Sequence, residues 1–311
     1  MDALLHADLW QLTANGVVRG SLYAALGAGL ALVLGVTTRF HFAYSLTYTL
    51  APYAAYWVMT DRGVPFWPAA AVGLVTAIVA SVALEGLVYE PVAHRARDRA
   101  MLAVLVTSLG VSSAGIALLQ LWQGTSSLPF YGPTMTIVEL GSVRTSNFEI
   151  AEAMTCLALV VGLAGFLAFT STGRAIKAVR SNPPLASILG IGVRRVNLIV
   201  FGIAGLVSGV CALWRGLLYT VEPVMGDNVV IYGFVVAFMA GTRTSPLRAI
   251  AVGLAVGLLE QCASIWMSVQ WTQTAVFLVL VVYLVALSLR GRWRPRRPLR
   301  VTRRPIALTE A

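Results

Sequence analysis

Long apolar segments separated by shorter polar ones run through the whole chain. They predict membrane-spanning helices at residues 10–36, 46–59, 66–88, 101–120, 151–170, 197–214, 229–242, 249–267 and 272–289. A helix needs about 20 apolar residues to cross the hydrocarbon, whereas a barrel strand would show about ten residues of alternating hydrophobicity. We therefore predict an all-α polytopic membrane protein, a helical bundle of about 8–9 transmembrane helices.

Two segments of this pattern call for separate predictions. The second span holds only about 14 residues and contains Pro52, which favours a tilted or partly re-entrant helix. Residues 120–149 form the longest loop on their side of the membrane and are polar and rich in Gly, Pro, Ser and Thr. We expect a periplasmic partner to meet this loop.

The polar stretch 171–196 interrupts the apolar pattern with a hydrophobic pattern of its own. It carries no acidic residue and five basic ones: Arg174, Lys177, Arg180, Arg194 and Arg195. Residues 174–179 and 185–189 have helical character, and Asn182-Pro183-Pro184 separates them because proline breaks the helical ladder. A basic loop between spans is cytoplasmic. The pattern predicts two short helices that form a docking elbow.

Composition agrees with a membrane protein that has one domain. The 311 residues are 58% hydrophobic and 12% charged, with a mean hydropathy of +0.79, which is too apolar for a soluble domain. We expect one transmembrane domain at residues 1–290, including the cytoplasmic loop 171–196. The basic tail 291–311 alternates Arg with Pro and is expected to be disordered. Asp2 and Asp8 stand where a signal peptide would be basic, so we expect no cleaved leader.

The net charge of +10 is unevenly distributed between the loops on the two sides of the membrane. Most basic residues fall in alternate loops and in the tail, on the side of the elbow. The positive-inside rule then places the N-terminus outside and the C-terminus in the cytoplasm. The charge is thus explained by topology and by attraction to anionic membrane lipid, and nucleic acid is not an expected partner.

Residue patterns for catalysis or cofactor binding are missing from the sequence. The three cysteines stand singly in apolar spans: Cys156, Cys211 and Cys262. The three histidines are scattered and do not form a metal set. The single lysine, Lys177, lies outside any phosphate-binding glycine loop. We expect no catalytic residue, no metal and no bound cofactor, so any ATP and Mg²⁺ would bind to another polypeptide.

Three ionisable residues lie at membrane depth in this pattern: Arg19, Glu85 and Glu260. A charge at that depth costs about 2.5–3.5 kcal/mol on insertion scales, so each should face protein or a water-filled cavity. Glu85, near the end of its span, is expected to extend to the interface. Arg19 and Glu260 suit either a translocation pathway or an internal ion pair. Small residues lie near both, at Gly16, Gly20, Gly253 and Gly257, and predict close helix packing.

Four motifs together resemble one family. They are Asn15-Gly16-x-x-x-Gly20-Ser21-x-Tyr23-Ala24, Glu85-x-x-x-Tyr89-x-Pro91, Gly173-Arg174-Ala175-Ile176-Lys177-Ala178 followed by Leu189-Gly190-Ile191, and Gly253-x-x-x-Gly257-Leu258-Leu259-Glu260. From about Asn15 to Leu289, the chain is similar to the permease subunits of branched-chain amino acid ABC importers. It departs from the family pattern at His41-Phe42-Ala43-Tyr44-Ser45 and in the segment Ala240 to Leu247.

The resemblance implies a non-enzymatic importer subunit. It implies a second related permease, in a homodimer or heterodimer, two cytoplasmic ATP-binding subunits and a periplasmic solute-binding protein. The residues expected to couple to the ATPase are Gly173, Arg174, Ala175, Lys177, Arg180, Ile188, Leu189, Gly190 and Ile191. Those expected along the translocation pathway are Asn15, Arg19, Ser21, Tyr23 and Glu260. The alternatives are a urea, amide or sugar ABC importer permease, a secondary transporter and a membrane scaffold.

Overall fold

The computed structural model describes residues 2–130, 132–140, 143–241, 245–266 and 268–292. The long helices are α1 (Asp2–Thr37), α2 (Tyr44–Arg62), α3 (Phe66–Ala83), α5 (Ala100–Gln123), α6 (Asn147–Phe169), α9 (Val193–Leu218), α10 (Met225–Ala240), α11 (Leu247–Trp266) and α12 (Val269–Arg292). The short elements are a π-helical turn (Leu84–Tyr89), α4 (Glu90–Ala96), a 3-10 turn (Arg97–Arg99), strands β1 (Ile137–Leu140) and β2 (Val143–Ser146), α7 (Ser171–Ser181) and α8 (Pro183–Ile188).

The helical bundle predicted from the sequence is confirmed. Each predicted span coincides with one of the long helices, and five helical segments are long and apolar enough to cross a membrane. The second span is longer than the roughly 14 residues predicted for it. Helix α2 is continuous over 19 residues with Pro52 inside it. Its buried face includes Tyr44, Thr47, Tyr48 and Thr49, polar residues that hydropathy counts against a span although they pack inside the bundle.

Helix α1 is the centre of the bundle and packs most closely against α11. The two backbones meet through glycines, because a Cβ added to Gly20 would lie 2.7 Å from the Cα of Leu254. A Cβ on Gly253 would likewise lie 2.6 Å from the backbone nitrogen of Ala24. The predicted small-residue faces thus form one seam between the helices. Leu22, Leu26 and the other residues around this seam form the buried core.

Hydroxyl groups join several helices away from this seam. Ser81 of α3 donates to the carbonyl of Phe201 in α9, 2.7 Å away. The hydroxyls of Ser45 in α2 and Ser112 in α5 are 2.8 Å apart. Such bonds satisfy polar groups that would otherwise face hydrocarbon.

The hairpin β1–β2 lies at the end of the bundle where α1 begins, which we call the hairpin end. Gln11 of α1 donates to the backbone carbonyl of Arg144 (2.9 Å) and accepts from its amide (2.8 Å). Ser146 and Glu149 then form a capping box that starts α6. The hairpin was not predicted, because an isolated two-stranded hairpin is marginal and this one is anchored by a distant glutamine.

The opposite end of the bundle carries α7 and α8 and is called the elbow end. Two segments singled out in the sequence fall partly outside the described residues here. The segment Ala240 to Leu247, which departs from the pattern of the resembled family, includes residues 242–244, and nearly all of the predicted disordered tail lies in 293–311. Residues 291 and 292 belong to α12.

We predict that the seam between α1 and α11 tolerates no added methyl group. Gly253→Ala should lower the free energy of unfolding by about 1–3 kcal/mol, the usual cost of overpacking, and should lower the melting temperature in detergent. Gly165→Ala in α6 is the matched control, because a Cβ there meets nothing within 4 Å and Ala favours helix by about 1 kcal/mol. Equal melting temperatures for the two variants would contradict the close contact.

Candidate functional site

The predicted elbow is formed by α7 and α8, and each helix begins with a side-chain cap. Thr170 accepts from the amide of Gly173 at 2.9 Å, and Asn182 accepts from the amide of Leu185 at 3.1 Å. Pro183 occupies the first turn of α8, where its missing amide hydrogen costs nothing. The break expected at Asn182-Pro183-Pro184 is thus also the start of the second helix.

The end of α8 is fixed by a glycine. The amide of Ile191 bonds to the carbonyl of Ala186, and that of Gly190 bonds to the carbonyl of Ser187, both at 3.0 Å. Gly190 has φ of +81°, so this is a Schellman motif with glycine in the left-handed position. A residue with a Cβ would be strained in this conformation, so glycine at position 190 allows the chain to turn sharply into α9.

The elbow has one buried apolar face and one exposed apolar patch. Ile176 and Val179 of α7 are buried. In contrast, Leu185, Ile188 and Leu189 have 52%, 82% and 70% of their surface exposed. Positions three and four apart share a helix face, so these three residues form one outward patch, which we call the elbow patch. Leu185 was not among the predicted coupling residues, although its spacing from Ile188 and Leu189 gave the signal.

The other predicted coupling residues surround this patch in different environments. Gly173 is buried where a Cβ would overlap the backbone of Phe166 and Leu167. Arg174 and Lys177 are exposed, and Ala175, Arg180 and Ile191 are half-buried. The elbow therefore presents apolar side chains flanked by positive charge.

The charged side chains of Arg19 in α1 and Glu260 in α11 meet, with Arg19 half-buried and Glu260 buried. Arg19 donates to Glu260 at 3.0 Å, and the hydroxyl of Tyr23 donates to the other carboxylate oxygen at 2.7 Å. The ring of Tyr23 stacks on Tyr232 of α10 at 4.5 Å between centroids. Glu260 is thus held by two donors from α1, and the tyrosine pair joins α10 to the same cluster.

The remaining residues assigned to the pathway lie on α1. Ser21 is fully buried, and its hydroxyl donates to the carbonyl of Val18 at 2.7 Å. Asn15, near the hairpin end, accepts from Gln11 at 3.0 Å. Both side chains are therefore engaged within α1, and the structure places Arg19, Tyr23 and Glu260 in contact with one another.

Two further charges of this region were missed. Glu152 of α6 is fully buried, and neither of its carboxylate oxygens has a hydrogen-bond partner among the described residues. The guanidinium of Arg215 in α9 lies 4.7 Å from the centre of the Tyr219 ring. The predicted span 197–214 ends one residue before Arg215. Glu152 was overlooked although it lies within the predicted span 151–170, where an acidic residue is itself a functional signal.

A second buried ion pair lies near the elbow end. Glu85, in the π-helical turn, pairs with Arg39 from the loop between α1 and α2. The expectation that Glu85 extends to the interface was therefore wrong, because its side chain is only 2% exposed. Nearby, Arg194 at the start of α9 donates to Glu90 at 2.8 Å. The chain that leaves the elbow is thus tied to the segment that carries Glu85.

A bundle of long apolar helices with charge pairs between them and a two-helix elbow at one end fits a membrane transport protein. The family model described as branched-chain amino acid transport system, permease component, matches residues 12–286. The chain belongs to this family, which confirms the resemblance seen in its motifs. It is therefore a multi-pass membrane protein of the bacterial inner membrane and a component of a larger transport system.

Individual relatives of the family match nearly the whole length of this chain. The high-affinity branched-chain amino acid transport system permease protein LivH of Escherichia coli K12 is 26% identical, covering 90% of this chain and 94% of LivH. BraD of Pseudomonas aeruginosa, described in the same words, is 24% identical over 88% and 92% of the two chains. The solved structure of PsaBC from Streptococcus pneumoniae in complex with Fab has a TM-score of 0.45 at 15% identity, covering 88% of this chain and 90% of that one.

Proposed function

We propose that this chain is the permease of an ATP-binding-cassette importer that moves branched-chain or other small amino acids into the cell. The family match over residues 12–286 is the observation that carries the proposal. Its partners are a second related permease, two cytoplasmic ATP-binding subunits and a periplasmic solute-binding protein. ATP and Mg²⁺ bind to the ATPase, and this chain supplies the path and the coupling surface.

The elbow patch is the surface proposed to seat in the ATPase. Three large apolar side chains at the end of one short helix, Leu185, Ile188 and Leu189, are left exposed by the described part of the chain. An apolar helix face of this kind binds well in a hydrophobic groove. Arg174 and Lys177 stand exposed beside it and can steer the encounter with an acidic rim.

We expect Leu189→Asp to abolish this contact while the protein stays inserted in the membrane. A carboxylate placed in an apolar groove loses its hydration without gaining a partner. The ATPase subunit should no longer co-purify in detergent, and uptake should fall at least tenfold. Ser187→Asp on the same exposed helix is the control and should retain the ATPase. Normal association of the Leu189→Asp variant would rule out the elbow patch as the contact.

The Arg19, Tyr23 and Glu260 cluster is proposed to hold a gate closed. The carboxylate of Glu260 is engaged by Arg19 and Tyr23 together, so breaking the pair would free α1 to move against α11. Tyr232 would carry that movement to α10 through its stacked ring. A gate of this kind needs a charge on Glu260, because a neutral amide binds the guanidinium far more weakly.

We expect Glu260→Gln to insert normally and to reduce amino acid uptake at least fivefold. Glutamine keeps the shape and a hydrogen-bond acceptor for Tyr23, so the fold should persist. Glu222→Gln is the control, because it makes the same change of charge at an exposed acid outside the cluster. Leucine uptake by proteoliposomes with the assembled complex, normalised to inserted protein, is the measurement. Near-normal uptake would remove Glu260 from the gate.

The orientation is proposed with the hairpin end outside and the elbow end in the cytoplasm. Support comes from the excess of basic residues in the elbow and the other loops on its side. In a variant without the native cysteines, Asn147→Cys should react with an impermeant thiol reagent in cells with a permeable outer membrane. Ser181→Cys should react only after the inner membrane is opened. Reaction at position 181 in intact cells would reverse the orientation.

A further inference from the structure

A groove of about 490 Å³ lies on the side of α10 that faces away from the Arg19 and Glu260 cluster. Helices α2, α5 and α10 form its walls. Its polar lining consists of Ser45, Ser112, Ser113, Gln120 and Asp227. Its apolar lining includes Phe42, Leu109, Ile116 and Phe234. This volume lies within the range of about 300–1,000 Å³ that small-molecule sites occupy.

The groove differs from the rest of the outer face of α5. Away from the groove, that face exposes large apolar side chains, among them Leu102, Val106, Leu118 and Leu121. The groove side instead presents hydroxyls and an amide. Polar side chains in a membrane span face protein or water, since hydrocarbon offers them no hydrogen bonds. The lining therefore predicts water or a polar ligand in the groove.

Polar and apolar groups are arranged along the length of the groove. Leu109 and Gln120 mark its extent on α5, a rise of about 17 Å along the helix. Gln120 lies toward the hairpin end, and Asp227 is exposed in the first turn of α10, next to Gly226, which packs against the carbonyl of Ser45. The bonded hydroxyls of Ser45 and Ser112 line the same groove as the rings of Phe42 and Phe234, whose centroids are 4.6 Å apart.

We infer that this groove binds the transported solute and that the solute is a zwitterionic amino acid with an aliphatic side chain. The carboxylate of Asp227 attracts the ammonium group at the mouth. The serine hydroxyls donate to the carboxylate of the solute, and Leu109, Ile116 and Phe234 contact its side chain. The inference rests on the proposed function. It adds the location of the binding site and states that the site recognises both the ammonium and the carboxylate of the solute.

Asp227 suits this role because it is not needed for the fold. It is exposed, whereas Glu222, the nearby acid on the preceding loop, lies outside the groove and contacts Thr220 at 3.3 Å. Replacing either acid with its amide changes the local charge equally. The pair of variants therefore separates a carboxylate at the groove from one that is merely nearby.

Neighbouring positions on α5 allow a matched test of the groove itself. Ser113 and Ala117 line it. Ala114 and Leu118 are also exposed but are turned away from it, one position further along the helix in each case. Each position is changed to cysteine in a full-length variant without native cysteines, and membrane vesicles that contain the complete transporter are treated with a charged methanethiosulfonate reagent.

We expect Ser113→Cys and Ala117→Cys to react at least tenfold faster than Ala114→Cys and Leu118→Cys. L-Leucine should slow the reaction at the groove positions, whereas 4-methylpentanoate, which lacks the ammonium group, should be at least tenfold less effective. Adding Asp227→Asn should raise the leucine concentration for half-protection at least fivefold, and Glu222→Gln should leave it unchanged. Equal reaction rates at all four positions, or no protection by leucine, would overturn the inference.

Failure of the inference and failure of the proposed function give different results. If the wild-type complex imports leucine while leucine leaves the labelling of Ser113→Cys unchanged, the solute passes elsewhere and the importer assignment stands. If the wild-type complex imports no amino acid, the importer assignment falls whatever the labelling shows. If uptake occurs and protection follows the expected order, both statements are supported.

Discussion

The contact between the backbones of α1 and α11 is the constraint on which the rest of the structure depends. Gly20 and Gly253 let the helices approach until an added Cβ would overlap the opposite backbone. At that separation Arg19 of α1 bonds directly to Glu260 of α11 at 3.0 Å. The glycines thus bring together the two helices that carry the ion pair, and the ion pair satisfies charges that would otherwise destabilise both helices in the membrane.

Helix α10 connects this seam to the groove on its other side. Tyr232 stacks on Tyr23 in the charge cluster, while Phe234, about half a turn later, lines the groove. A shift of α10 would therefore change both faces together. At the elbow end, Arg194 contacts Glu90, and Glu85 in the adjacent π-helical turn contacts Arg39. Arg39 lies three residues before Phe42, so the elbow and the groove are linked through contiguous contacts.

The sequence predicts the helices well because their signal is local. Apolar length marks the spans, and Asn182 and the prolines mark the elbow. A buried charge pairs with a residue that is distant in the sequence, and local patterns do not reveal such pairs. An ion pair between Arg19 and Glu260 was therefore only one of two interpretations, and the pair of Arg39 with Glu85 was not predicted. Leu185 of the elbow patch could have been found from helix spacing. The groove could not, because its serines come from α2 and α5 and each looks like an ordinary small residue within its own span.

The distribution of charge along the bundle fits a pathway for a zwitterion. Ion pairs lie toward both ends, with Arg19 and Glu260 on one side and Arg39 and Glu85 on the other. Between them the groove carries one carboxylate, that of Asp227, and its other polar groups are neutral hydroxyls and an amide. A fixed positive charge beside those hydroxyls would bind the carboxylate of the solute strongly and slow its release. Neutral donors bind that carboxylate modestly, and modest binding allows a solute to leave as well as to enter.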